Sequence, residues 1–220
     1  MNKAISLLDY ATWVFDCDGV LLNSNLVKSE AFYKVALPYG EHAAAKLLDF
    51  HIQHGGISRF EKFRYLFSEI LHETDYEVRL KSALESFATS CTDALTRCET
   101  SPGLMQFLEK IRDGRRKTFI VSGGAQDELQ LIFKKRSLDK YFDGIFGSPD
   151  NKVEILTREI LNQNILLPAI FLGDSRYDYE AANSCGLDFI FVSGWTEFDE
   201  WKKFFEHKKI LVVTQIDDLL

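Results

Sequence analysis

The second half of the chain alternates short, unbroken apolar runs with stretches of helical periodicity. "KTFIVSGG" (117–124), "AIFLGDS" (169–175), "LDFIFVSG" (187–194) and "KILVV" (209–213) read as buried strands, three of them ending in glycine or polar residues. The intervening stretches "AQDELQLIFKKRSL" (125–138), "KVEILTREILNQ" (152–163) and "YDYEAANSCG" (177–186) space their apolar residues as amphipathic helices do. Strands with no polar face, separated by helices, predict parallel strands joined by crossovers and covered on both sides. "ATWVFD" (11–16) has the same character and opens the series.

Between Ser24 and Thr100 the alternation stops and only helical periodicity remains. "LVKSEAFYKVAL" (26–37) ends at Pro38, and "EHAAAKLLDFHIQH" (41–54) ends at Gly55-Gly56. Ser58 with Glu61, and Thr74 with Glu77, have the spacing of a capping box, so each pair predicts a helix start. Phe60, Phe63 and Phe67 share one helical face and are expected in a core. A crossover needs only a dozen or so residues. The excess is therefore expected to fold separately, over the end of the first strand. The reading is an α/β protein: a Rossmann-like, doubly wound parallel core from residues 1–22 and 98–220, with an inserted all-helical domain from residues 23–97.

The bulk numbers narrow the function. The 220 residues carry a formal net charge of -7, which argues against nucleic acid or an anionic membrane as partner. Apolar residues make up 46%, ample for a core. Cys17, Cys91, Cys98 and Cys185 form no CxxC pair and read as buried thiols in a reducing compartment. Asp9 ends the N-terminal apolar run too early for a signal-peptide core, and no later run approaches a membrane span. A soluble cytoplasmic protein, monomer or homodimer, is expected.

In open parallel sheets ligands bind beyond the carboxyl ends of the strands. The first strand delivers Asp16 and Asp18 there, the second Ser122 with Gly123 and Gly124, and a later one Asp174 with Asp178 four residues on. "SPDNK" places Lys152 at a helix start. Crowded carboxylates suit a hard divalent cation such as Mg²⁺. A hydroxyl, glycine-freed N–H groups and an ammonium suit phosphate oxygens. Together they describe a phosphoryl-transfer site. Each residue also has a plainer reading: Asp16 and Asp18 in a solvated turn, Ser122 in an ordinary turn, Lys152 and Asp178 on exposed helix surfaces.

"FDCDGV", "VSGG", Lys152 in "SPDNK" and "GDSRYD", in that order, resemble the four motifs of the haloacid dehalogenase superfamily. The resemblance covers the whole chain and is nearest to the phosphoglycolate-phosphatase and β-phosphoglucomutase-like branch with a helical cap. It implies Asp16 as nucleophile, forming an aspartyl-phosphate, and Asp18 as general acid and then base. It implies Mg²⁺ held by Asp16, the Asp18 backbone carbonyl and Asp174, with Asp178 in support. It implies Ser122, Gly123 and Lys152 around the phosphoryl oxygens. The cap would read the leaving group of a small phosphorylated metabolite. "HGGISRF" (54–60) is the segment expected over the site, with Gly56 allowing a tight loop and Arg59 meeting a second anionic or hydroxylated group. The same glycines also suit a plain helix-ending loop. Asn23, Ser24 and Lys28 lie near the expected hinge.

Asp18 argues against the dehalogenases proper and the phosphonoacetaldehyde hydrolases, which lack that second aspartate. The expected activity is a Mg²⁺-dependent phosphatase for a sugar phosphate or phosphoglycolate type of ester. A phosphosugar mutase is the enzymatic alternative, and an inactive binding module on the same fold the non-enzymatic one.

Overall fold

A computed structural model of the protein describes residues 9–113 and 115–220. The N-terminal apolar run read against a signal peptide lies outside these residues. Six strands form one sheet: β1 (Thr12–Phe15), β2 (Lys117–Ala125), β3 (Gly144–Ser148), β4 (Ala169–Gly173), β5 (Asp188–Val192) and β6 (Leu211–Val213). Their order is β3-β2-β1-β4-β5-β6, and every neighbouring pair is parallel. Both faces are buried, as continuous apolar runs require. Trp13, Phe15, Leu172 and Ile190 enter one core, while Val14, Phe171 and Phe191 enter the other. Period-two alternation is thus retained, with apolar residues on both sides.

Helices α5 (Leu104–Asp113) and α6 (Gln126–Lys135) cover the first face. Helices α7 (Lys152–Leu161), α8 (Arg176–Ser184) and α9 (Trp201–Phe205) cover the second. The sequence reading omitted β3 and α5. β3 is "GIFGS", with only two apolar side chains between glycines, so it lacks the run that marks the other strands.

Between β1 and α5 the described residues form no strand, and their α-helices are α1 (Asn25–Ala36), α2 (Glu41–Gln53), α3 (Arg59–Tyr65) and α4 (Glu77–Arg97). Ser58 caps α3 by accepting the Glu61 N–H at 3.3 Å, as its spacing predicts. The Thr74–Glu77 box does not form. Tyr76 occupies the cap position of α4, without a side-chain cap. Its ring stacks on Phe67 with centroids 5.7 Å apart, and that packing sets the helix start. Phe63 and Phe67 are fully buried, whereas Phe60 is half-buried, because α3 turns Arg59 and Lys62 inward instead. Phe32 packs against Phe63 and Phe87 at centroid distances of 5.2 and 4.3 Å. Burying each such ring contributes about 1.5–3 kcal/mol.

The chain leaves the sheet region and returns to it side by side. Asn23 N–H donates to the Glu99 carbonyl at 2.9 Å, and Ser101 N–H to the Leu21 carbonyl at 3.0 Å. Arg136, just past α6, donates to the Leu95 and Cys98 carbonyls at the end of α4, satisfying carbonyls that the helix leaves open. Cys17 and Cys91 are buried, while Cys98 and Cys185 are half-buried, and all four are free thiols. No helix among the described residues is long and apolar enough to cross a membrane.

Thr12, fully buried in β1, donates its hydroxyl to the Leu166 carbonyl and accepts the Leu166 N–H, each at 2.9 Å. Thr12→Val keeps the shape and removes both bonds. It is expected to lower unfolding free energy by about 1–3 kcal/mol in urea titrations.

Candidate active site

β1, β2 and β4 end at the same edge of the sheet, so the polar residues that follow them meet. Asp16 follows β1 directly, with its N–H donating to the Leu172 carbonyl at 2.8 Å. Asp174 follows β4, and Ser122 lies near the end of β2. An Asn151–Glu154 capping box opens α7 and sets Lys152 at its first position. A second box, Ser175–Asp178, opens α8 and fixes Asp178. Asp16, Ser122, Lys152, Asp174 and Asp178 are all buried, which removes the surface and turn readings of these residues.

Lys152, 1% exposed, bridges two carboxylates. Its ammonium donates to Asp178 Oδ1 and lies 3.0 Å from Asp16 Oδ1, the latter without hydrogen-bond alignment. Burial opposes its charge, but Asp16 and then Asp178 outweigh burial and push its pKa up. Asp178 Oδ2 accepts the Ser175 hydroxyl at 2.7 Å and the Ser175 N–H at 3.1 Å. Asp174 Oδ2 accepts from Asn25 Nδ2 at 2.7 Å.

Oxygens of Asp16, Asp174 and Asp178 lie within 4.8 Å of one another. Burial pushes the Asp16 carboxyl up to about 7, against the pull of Lys152 and with a further rise from Asp178. Burial, then the charges of Asp16 and Asp178, pushes Asp174 up as well. One ammonium against three buried carboxylates leaves negative charge uncompensated, and Asp16 Oδ1 has no hydrogen-bond partner. An all-oxygen, anion-rich set of this kind fits a divalent cation such as Mg²⁺.

The Asp18 carboxylate stands apart from that cluster. It accepts the Ser24 hydroxyl at 2.5 Å and pairs with the Lys28 ammonium. Burial would raise its pKa, but Lys28 and the two hydrogen bonds hold it below the usual carboxylate range. Ser24 and Lys28, noted in the sequence only for their place near the hinge, are therefore the partners of Asp18. Asn23 instead joins the two chain passages, donating to Glu99.

The 54–58 loop lies on this assembly. A Cβ on Gly123 would sit 2.4 Å from the Gly56 carbonyl oxygen, so backbone meets backbone there. Gly56 has φ +84°, and a Cβ on it would sit 2.7 Å from Ser175 Oγ and 3.5 Å from Lys152 Nζ. Arg59 borders the cavity below, but its guanidinium pairs with Glu128 of α6 at 2.5 Å and lies 4.6 Å from the Phe87 ring centre. Glu128 thus supplies Arg59 with a counter-charge within this chain. The cavity there is about 60 Å³ and is bordered by Asp16, Asp18, Gly123 and Asp174 and by residues of the helical segment. Three of the latter, Asn25, His51 and Lys62, went unremarked in the sequence. Lys62 carried one usable signal: it lies three residues after Arg59, on the same face of α3.

With this geometry in place, the relatives are informative. Residues 13–192 match the model of the haloacid dehalogenase-like hydrolases, and the protein belongs to that family. It is 27% identical over 192 residues to a phosphorylated carbohydrates phosphatase of Thermotoga maritima, covering 81% of this chain and 82% of that one. Among solved structures, a haloacid dehalogenase-like hydrolase from Bacteroides fragilis superposes with TM-score 0.75 at 18% identity, covering 96% of this chain and 100% of the other. β-Phosphoglucomutase from Clostridium difficile gives TM-score 0.74 at 20% identity, covering 96% and 93%. These two share the fold.

Lys152→Met leaves Asp16 and Asp178 buried without their cation. It is expected to cost about 3–5 kcal/mol of stability, and adding Asp178→Asn should restore part of that loss. A double-mutant cycle in urea measures the coupling, and simple additivity would contradict the pairing described.

Proposed function

We propose that the protein is a Mg²⁺-dependent phosphatase that hydrolyses the phosphate monoester of a small metabolite, of the sugar-phosphate or phosphoglycolate type, through an aspartyl-phosphate on Asp16. One observation carries the reading: a buried aspartate with an unpartnered oxygen sits among Lys152, Asp174 and Asp178, with a second, separately held aspartate two residues on. Membership of the hydrolase family and the Thermotoga phosphatase support it. Four free thiols accord with a reducing cytoplasmic setting.

Asp16 attacks phosphorus, and the leaving oxygen departs with a proton from Asp18. Lys28 and Ser24 hold Asp18 ionised in the free site, the state in which it serves as base, so for the acid step Asp18 takes up a proton as the substrate binds. Water then attacks the aspartyl-phosphate, and Asp18 takes its proton back, so phosphate leaves and Asp16 is restored. The Ser122 hydroxyl accepts the Gly124 N–H at 3.1 Å, which leaves its own proton for a phosphoryl oxygen. Lys152 supplies positive charge beside Asp16 where charge builds up. Mg²⁺, held by Asp16 and Asp174 with the Asp18 backbone carbonyl and supported by Asp178, would supply further charge neutralisation. Residues 23–97 act as a cap over the site. The Gly56–Gly123 contact closes it against bulk water, and Arg59 helps to hold the closed arrangement through Glu128.

The test is release of inorganic phosphate from p-nitrophenyl phosphate with and without Mg²⁺. Turnover is expected only with the metal, and Asp16→Asn should lower kcat by about a thousandfold or more. Activity that survives that substitution, or that ignores chelation, contradicts the mechanism. A phosphoryl group recovered on a second sugar hydroxyl instead of in solution would make the protein a mutase. Gly123→Ala pushes the 54–58 loop off its seat. It is expected to lower kcat/KM by roughly tenfold or more at nearly unchanged Tm.

A further inference from the structure

Three cationic side chains of the helical segment, Lys28, Arg59 and Lys62, are buried beside the cavity. Two are neutralised, Lys28 by Asp18 and Arg59 by Glu128. Lys62, 2% exposed, has no carboxylate within 4.0 Å among the described residues. Its ammonium lies 2.6 Å from His51 Nδ1 and 5.3 Å from the centre of the Phe32 ring.

Donation from Lys62 to Nδ1 assigns the imidazole proton to Nε2. That Nε2 is buried and has no hydrogen-bond partner. The nearest anion is Glu197, whose Oε2 is 3.7 Å away and whose two oxygens accept from the Ser29 hydroxyl at 2.7 and 2.9 Å. The cavity is therefore bordered by an ammonium with protons to spare and by an imidazole N–H that nothing accepts. Burial, then the charge of Lys28, pulls Lys62 down to about 7, the behaviour of a cation that lacks its counter-ion. Burial, then Lys62, pulls His51 down to about 2, so its ring is neutral. An uncompensated buried charge is costly, and a bound anion would remove that cost.

We propose that Lys62, together with Nε2–H of His51, forms a second anion subsite that takes a carboxylate or a second phosphate on the leaving group of the substrate. The proposal rests on the phosphatase reading and narrows its substrates to phosphate monoesters with a second anionic group. Lys62 sets specificity; the bond to phosphorus is made elsewhere in the same cavity.

Equilibrium binding to Asp16→Asn protein in Mg²⁺ tests it with two matched pairs. These are 3-phosphoglycerate against glycerol 3-phosphate, and fructose 1,6-bisphosphate against fructose 6-phosphate. The first pair isolates a carboxylate and the second a phosphate. In at least one pair the member with the second anionic group is expected to bind tighter by about tenfold. Adding Lys62→Met should cut that preference by more than half. A preference below threefold in both pairs overturns the proposal, as does one that Lys62→Met leaves above half its value. Lys62→Gln replaces Lys62→Met if the latter loses its cooperative melt, and the comparison with Lys62 intact decides by itself whether a preference exists. Phosphate release by the unsubstituted protein is measured alongside. Preference without release from any ester removes the phosphatase reading and leaves the subsite, while release without preference does the reverse.

Discussion

A single ammonium organises the end of the sheet. Lys152 comes from the first position of a helix, where the helix dipole disfavours a cation, and it is buried there all the same. What offsets both penalties is a carboxylate on either side. At 3.0 Å the attraction to Asp16 is on the order of 5 kcal/mol for an effective dielectric near 20. Desolvating the ions costs several kcal/mol each, so the arrangement holds only while all its members are present. The neighbouring features follow from that demand. Asp178 is fixed by its own capping box with Ser175, α7 is fixed by the Asn151 box, and Asp16 is fixed by a backbone bond to β4.

The same edge also shows how two aspartates two residues apart acquire different chemistry. Asp16 is buried with Lys152 3.0 Å from its Oδ1 but no hydrogen bond to that oxygen, and burial dominates its titration. Asp18 is half-buried, and a lysine and a serine from the start of the helical segment claim both its oxygens. The segment therefore sets the charges around Asp18 and places its 54–58 loop against Gly123. Its aromatic core of Phe32, Phe63 and Phe87 keeps α1, α3 and α4 in fixed relation, so Lys28, Lys62 and Arg59 are presented as one group.

Strands of unbroken apolar residues identified themselves in the sequence because nothing else in the chain shares that pattern. β3 did not, since two glycines dilute "GIFGS" below any periodic signal. The residues on strand ends were legible for the same topological reason: wherever parallel strands stop, the next polar side chain points at the shared edge. Lys152 and Asp178 needed a further fact, namely that capping boxes aim them inward. The helical segment was legible as helices and opaque as a site. Arg59 was marked by its place after the 54–58 glycines, whereas Lys62 looks like an ordinary solvated charge on α3, and only the path of the chain shows that it faces inward. The Arg59–Glu128 pair joins residues far apart in sequence, and no local pattern encodes it. Thr74 shows the opposite failure, a correct local signal overruled when Tyr76 found a ring to stack on.

The paired passages at Leu21–Asn23 and Glu99–Ser101 have an architectural consequence. Because departure and return share a narrow ladder of backbone bonds, the strand registers do not depend on the length of what hangs between them. A different helical module of similar stem geometry could be grafted there without altering a strand register. Such a graft would have to bring its own partners for Asp18 and Asp174, since Ser24, Lys28 and Asn25 belong to the stretch replaced.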